Sequence, residues 1–152
     1  MTNHEPFIRQ CLELAISAGK KGNHTFGSLL VHQGQVILTA ENTVNTDQDS
    51  TRHAELNLIV KARRTLPEEV LRQSALYTST APCLMCTAVI WDAGINKLVY
   101  SVSYEAFVKQ IAEGYRYIPC DEVYRQLGEV LNLQGPILEN EGLQVFRYWP
   151  EG

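Results

Sequence analysis

His53-Ala54-Glu55 and Pro82-Cys83-Leu84-Met85-Cys86 are the two stretches on which the reading of this chain turns. Cys83 and Cys86 are three residues apart, so on one helical turn they share a face and both sulfurs can reach one ion. Both fall in the first turn of a predicted helix, where the positive end of the helix dipole favours thiolates. His53 supplies a third ligand from the start of another predicted helix. Three protein ligands leave a tetrahedral zinc with one open position, which a catalytic site needs and a closed structural site lacks; water would fill it. Glu55 is two residues from His53, a spacing at which helical neighbours do not face each other. It reads as a carboxylate leaning over that water, not as a fourth ligand.

A Pro-Cys-x-x-Cys stretch alone fits a redox pair or a structural zinc knuckle as well as a catalytic centre. The His-Ala-Glu upstream, with no fourth Cys or His motif to close the site, turns the reading toward catalysis. His4 and His32 read as surface residues and His24 as a loop residue, each solvated or capping. Cys11 and Cys120 read as ordinary buried or partly buried thiols.

Working outward, apolar Phe7, Ile8, Cys11, Leu12, Ala15 and Ile16 recur at helical spacing and Gly22 follows them, which predicts an amphipathic helix over 5–21. Residues 28–33 and 35–41 are apolar, β-rich runs on either side of Gly34, a hairpin pattern. Polar residues 42–51 read as a loop that delivers the chain to His53. A helix is predicted over 52–64, with Leu56, Ile59 and Val60 inward. A strand over 75–79 and a turn through Pro82 come next, then a helix over 83–93 capped by Gly94 and a strand over 97–102. Weaker helical stretches cover 104–113 and 121–131, and a last strand is expected over 143–148. This alternation implies an α/β fold with parallel strands and crossover helices.

A length of 152 residues with 45% hydrophobic content suits one core and one domain over 1–152. The net charge of -4 disfavours non-specific hold on a phosphate backbone, so nucleic acid is an unlikely partner. No eighteen-residue apolar span or export signal is read, so the expectation is a cytoplasmic protein with no membrane partner. Without export, Cys-x-x-Cys points to metal or redox chemistry over a disulfide.

The two motifs together resemble the cytidine and deoxycytidylate deaminase superfamily, whose zinc enzymes are known for this spacing. The likeness continues in the apolar Leu58 and Ile59 after His-Ala-Glu and Ile90 after Cys86. It also takes in Thr25-Phe26-Gly27, which looks like the Pro-Phe-Gly of many relatives, and covers roughly residues 5–102. Length and Pro-Cys-x-Met-Cys look like the branch holding guanine deaminases, tRNA adenosine deaminases and fungal cytosine deaminase. That resemblance implies a three-layer α/β/α sandwich with a central five-stranded mixed sheet, usually a homodimer, and Zn2+ as cofactor. It implies hydrolytic deamination, with zinc lowering the pKa of water to about 7 and Glu55 passing its proton to the ring nitrogen and then to the departing amine.

Phe26 and Asn42 correspond by position to residues that stack on and hydrogen-bond the base in guanine-deaminase-like members, and Ala54 is grouped with them as substrate-binding. Core packing is an equal reading for Phe26, and a turn role is open to Asn42. Two departures bear on substrate. Ala81 stands where many relatives carry Glu, and Gly114-Tyr115-Arg116-Tyr117 stands where guanine deaminases place acidic residues after a Gly-aromatic pair. Tyr115, Tyr117, Tyr148 and Trp149 could wall a pocket or fill the sheet-helix interface. The expected substrate is a small free nucleobase or nucleoside, a purine first. Cytosine or cytidine, tRNA adenosine, and a zinc-binding protein without turnover are the alternatives. The tRNA reading is weakened by a closing Arg147-Tyr148-Trp149-Pro150-Glu151-Gly152 with little positive charge.

Overall fold

In the computed structural model, which describes residues 2–151, the chain opens with α1 (Glu5–Lys20). Ile8, Cys11, Leu12, Ala15 and Ala18 face inward from it, and Glu5 and Lys20 complement the dipole at its two ends. Strands β1 (Gly27–His32) and β2 (Gln35–Glu41) then pair antiparallel. Gln33 and Gly34 link them with φ of 51° and 77°, the two positive angles that a tight primed turn requires.

The short α2 (Val44–Asp47) leads to α3 (Ala54–Thr65), α4 (Glu68–Gln73) and β3 (Ala75–Thr80). After α5 (Leu84–Asp92) comes β4 (Lys97–Val102), and α6 (Tyr104–Gln110) and α7 (Cys120–Gln126) precede β5 (Asn132–Gln134). The chain closes through α8 (Glu139–Leu143) and a 3-10 turn over Gln144–Tyr148.

The five strands lie in the order β2-β1-β3-β4-β5. β1 runs antiparallel to both neighbours, whereas β3, β4 and β5 are mutually parallel, so the sheet is mixed. One face is covered by α3, α4, α5 and α7, where Leu58, Ile59, Leu71, Ile90 and Tyr124 close over Leu30, Leu76 and Leu98. The other is covered by α1 and the C-terminal turns, where Ile8, Leu12 and Val145 close over Leu29, Tyr77 and Val99. This is the expected α/β/α sandwich. No described helix is long and apolar enough to cross a membrane.

Three expectations from sequence are corrected. Residues 143–148 are not the last strand: that edge is taken by Asn132–Gln134, which pairs parallel with Lys97–Val99. Leu-Gln-Val-Phe-Arg-Tyr alternates like a strand, but it winds into a helical turn because Val145 finds its burial against α1 and not in the sheet. The helix expected over 121–131 ends at Gln126, just before Gly128 turns left-handed at φ 79°. Finally, the polar segment 42–51 holds one helical turn, and α4 was not foreseen.

Gly27 sits where β1 passes under α1. A Cβ there would lie 2.5 Å from the Cys11 carbonyl oxygen and 2.5 Å from Leu14 Cβ, so the helix backbone itself would have to move. Gly27→Ala should lower stability by about 1–3 kcal/mol, the usual cost of overpacking. Urea unfolding would show it as a reduced midpoint, and an unchanged midpoint would contradict this packing.

Candidate active site

Both motifs come together at the carboxyl end of β3. From Thr80 the chain turns through Ala81 and Pro82 into α5, with Cys83 as N-cap in extended backbone at φ -67°, ψ 171°. His53 occupies the same station on α3, at φ -65°, ψ 157°. A residue at that position leaves the helix axis, so its side chain can cross the gap between two adjacent helix starts. Cys86, one turn into α5, lies under them with no exposure.

His53 Nδ1 is 3.5 Å from Cys83 Sγ and 3.6 Å from Cys86 Sγ. All three donor atoms lie within 4.8 Å of one another. With Zn–S near 2.3 Å and Zn–N near 2.0 Å, tetrahedral donors stand roughly 3.5–3.8 Å apart, so the cluster fits such an ion. The donor set, one imidazole and two sulfurs, is also of the kind zinc takes.

The turn before Cys83 is braced from outside. Tyr104 on α6 donates its hydroxyl to the Pro82 carbonyl at 2.6 Å and accepts the Cys120 amide at 3.2 Å. Arg63 on α3 ties to Asp92 on α5 at 2.7 Å, a pair largely in solvent.

The electrostatics follow from crowding. The hydrogen bond from Cys86, followed by that of His53, brings the Cys83 thiol down to about 4 against the opposing effect of burial. The same Cys83–Cys86 bond, with burial, pushes Cys86 up, and the Cys83 bond raises His53. One sulfur is thus favoured as thiolate, the form that binds metal.

Glu55, in the first turn of α3, is only 6% exposed, and burial pushes its carboxyl up to about 7, with the charge on Cys83 adding to the effect. Ser28, fully buried on β1, donates to Glu55 Oε1 at 3.3 Å, and its Oγ lies 2.9 Å from Thr78 Oγ1 on β3. A carboxyl so placed exchanges its proton near neutrality, as general acid-base work asks.

A cavity of about 210 Å3 opens over this cluster. His53, Glu55 and Cys83 form its polar floor, and Phe26, Phe107, Tyr115 and Trp149 its aromatic walls. Phe26 meets Phe107, Phe146 and Trp149 edge-on, with centroids 6.1, 6.0 and 5.7 Å away. Asn42 is fully buried just beyond β2; its Oδ1 accepts the Val44 amide at 3.0 Å, while its Nδ2 has no partner. Asn42 and Ala54 are both fully buried and neither lines the cavity. Tyr117 instead stacks on Tyr104 at 4.4 Å, and Tyr148 lies beneath the Lys20 ammonium.

From sequence, His24 is a solvated or capping loop residue; the structure places it otherwise. It lines the cavity, stacked on Trp149 at 4.4 Å and 10°. Thr80, Phe107 and Ala112 line the cavity too, and Ser28 supports Glu55 from behind. Nothing in their spacing marks these residues, because each reaches the site through tertiary packing from a different element.

A family model for the cytidine and deoxycytidylate deaminase zinc-binding region matches residues 1–102. This chain belongs to that deaminase family. Among curated relatives of the deaminase, a probable cytosine deaminase of Schizosaccharomyces pombe is 30% identical over 96% of this chain and 92% of its own length. A guanine deaminase of Bacillus subtilis is 36% identical over 67% of this chain and 66% of its own. Among solved structures, a guanine deaminase of Nitrosomonas europaea superimposes with a TM-score of 0.79 at 18% identity, covering 98% of this chain and 85% of that one. The deaminase is therefore a hydrolase of carbon–nitrogen bonds with zinc as its metal.

Removing one donor should empty the cluster. Cys83→Ala and His53→Ala proteins should carry only trace zinc by atomic emission where the parent protein carries it stoichiometrically. Full zinc content in either variant would place the metal elsewhere.

Proposed function

We propose that this deaminase removes the amino group of a free nucleobase as ammonia, with His53, Cys83 and Cys86 holding zinc and Glu55 moving the proton. The observation that carries the reading is the buried carboxyl of Glu55 beside a three-donor cluster, both on the floor of a small aromatic-walled cavity. A purely structural metal site has no use for an unliganded buried acid. Zinc, when bound, supplies the Lewis acidity that makes hydroxide available near neutral pH.

The chain's own residues do the rest. Ser28 fixes Glu55 Oε1 through its hydroxyl, leaving the carboxylate to take a proton from the attacking water. Glu55 delivers that proton to the ring nitrogen, then takes the remaining proton of the added hydroxyl and passes it to the amine, so the carbon–oxygen double bond forms as the carbon–nitrogen bond breaks and ammonia leaves. Phe26 and Trp149 offer faces and edges against which a planar ring can pack, and the aromatic walls keep bulk water away.

A purine is the first expectation from sequence, but the lining favours a single-ring base such as cytosine. The cavity of about 210 Å3 suits a free base of either ring size. Among the described residues, Glu55 is the one acid that lines it, so no second carboxylate is at hand for guanine's ring edge. The relative matched over nearly its whole length is also a probable cytosine deaminase. The net charge of -4 supports a free base over a nucleic acid.

Glu55→Gln should cut ammonia release by about 10²–10⁴-fold while zinc content stays unchanged. Retained activity would remove Glu55 as the proton carrier. In the parent protein, ammonia should appear faster from cytosine than from guanine or adenine, and the reverse order would restore the purine.

A further inference from the structure

Half of the polar side chains facing the cavity, other than the indole, are already committed; Thr80, Tyr115 and His24 have no described side-chain partner. His53 and Cys83 belong to the donor cluster and Glu55 to the reaction. His24 is different. Among the described residues, nothing hydrogen-bonds its ring nitrogens, although its backbone carbonyl accepts the Phe26 amide at 2.9 Å. The imidazole nevertheless has a fixed orientation. Trp149 covers one face of it at 4.4 Å and 10°, and the same indole stands edge-on to Phe26 at 5.7 Å. Two segments far apart in sequence, the α1–β1 loop and the residue after the C-terminal 3-10 turn, thus clamp one imidazole at the cavity wall.

We propose that His24 is a specificity-determining residue of this deaminase, reading the oxo or ring N–H group of a bound amino-heterocycle, and that Trp149 positions it. This rests on the cavity being the base-binding site. A neutral imidazole presents one N–H and one lone pair in the plane of its ring. Partial burial lowers the basicity of His24, which favours the neutral ring that carries this donor-acceptor pair. A free base carrying an oxo group satisfies the pair; the same ring without the oxo group leaves a polar edge unmatched, and its binding suffers. Such a contact discriminates between rings of nearly equal size, which aromatic walls alone cannot do.

The test uses two matched pairs, cytosine with 4-aminopyrimidine and guanine with 2-aminopurine, each differing by one oxo group. Affinities are measured by calorimetry on zinc-loaded Glu55→Gln protein, so that turnover does not consume the ligand, and kcat and KM are measured on protein with Glu55 intact. In at least one pair the oxo member should bind about tenfold tighter than its partner. His24→Phe, which keeps the stack on Trp149 and loses the donor and acceptor, should shrink that gap to threefold or less by weakening the oxo member. The loss should fall mainly on KM. Trp149→Ala should also narrow the gap, and Trp149→Phe should restore it. A gap that survives His24→Phe, the absence of any gap, or no binding of any of the four rings would overturn the proposal. Binding with a gap that depends on His24 but no ammonia from any ring would leave His24 its role and instead overturn the proposed reaction.

Discussion

The whole arrangement depends on two helices beginning at the same place. α3 and α5 both start at the carboxyl edge of the sheet, and each gives its N-cap residue, His53 or Cys83, to one point in space. Parallel pairing of β3 with β4 requires a crossover between them, and α5 is that crossover; the passage from β2 to β3 does the same for α3. Ligands from separate elements therefore meet because of topology and not because of local sequence. Helix starts also bring positive dipole ends, so the two sulfurs sit where negative charge is best tolerated.

Around that point the protein surrounds charge with apolar matter. Glu55 keeps company with Ser28 and Thr78 on one side and opens to an aromatic cavity on the other. Low polarity strengthens each remaining interaction and makes an unpaired polar atom costly. Three of the four buried side-chain atoms without a described partner belong to Thr25, Asn42 and Thr80, all next to cavity residues or lining it themselves. The polar debt is concentrated where a ligand could settle it, as expected of a site shaped for binding more than for stability.

Much of this was legible in the residues. The cluster His53, Cys83 and Cys86, the placement of Glu55 and the strands up to Val102 could be read because metal ligation and helix starts impose spacing on sequence. The rest was harder for physical reasons. β5 has three residues, too few to show alternation, while Val145 and Phe146 mimic a strand and pack as a helical turn. His24, Phe107, Tyr115 and Trp149 converge only through tertiary packing, so no local pattern could distinguish a wall residue from a core residue. The proposed ring selection rests on those same residues, and for that reason sequence reaches the reaction sooner than the substrate.

X-ray absorption at the zinc edge tests the central claim most directly. If His53, Cys83 and Cys86 alone grip the ion, the spectrum of the purified protein should report two sulfurs near 2.3 Å and one imidazole near 2.0 Å, with the remaining position filled by a light atom from solvent. A shell of four protein donors, or one with fewer than two sulfurs, would contradict the account.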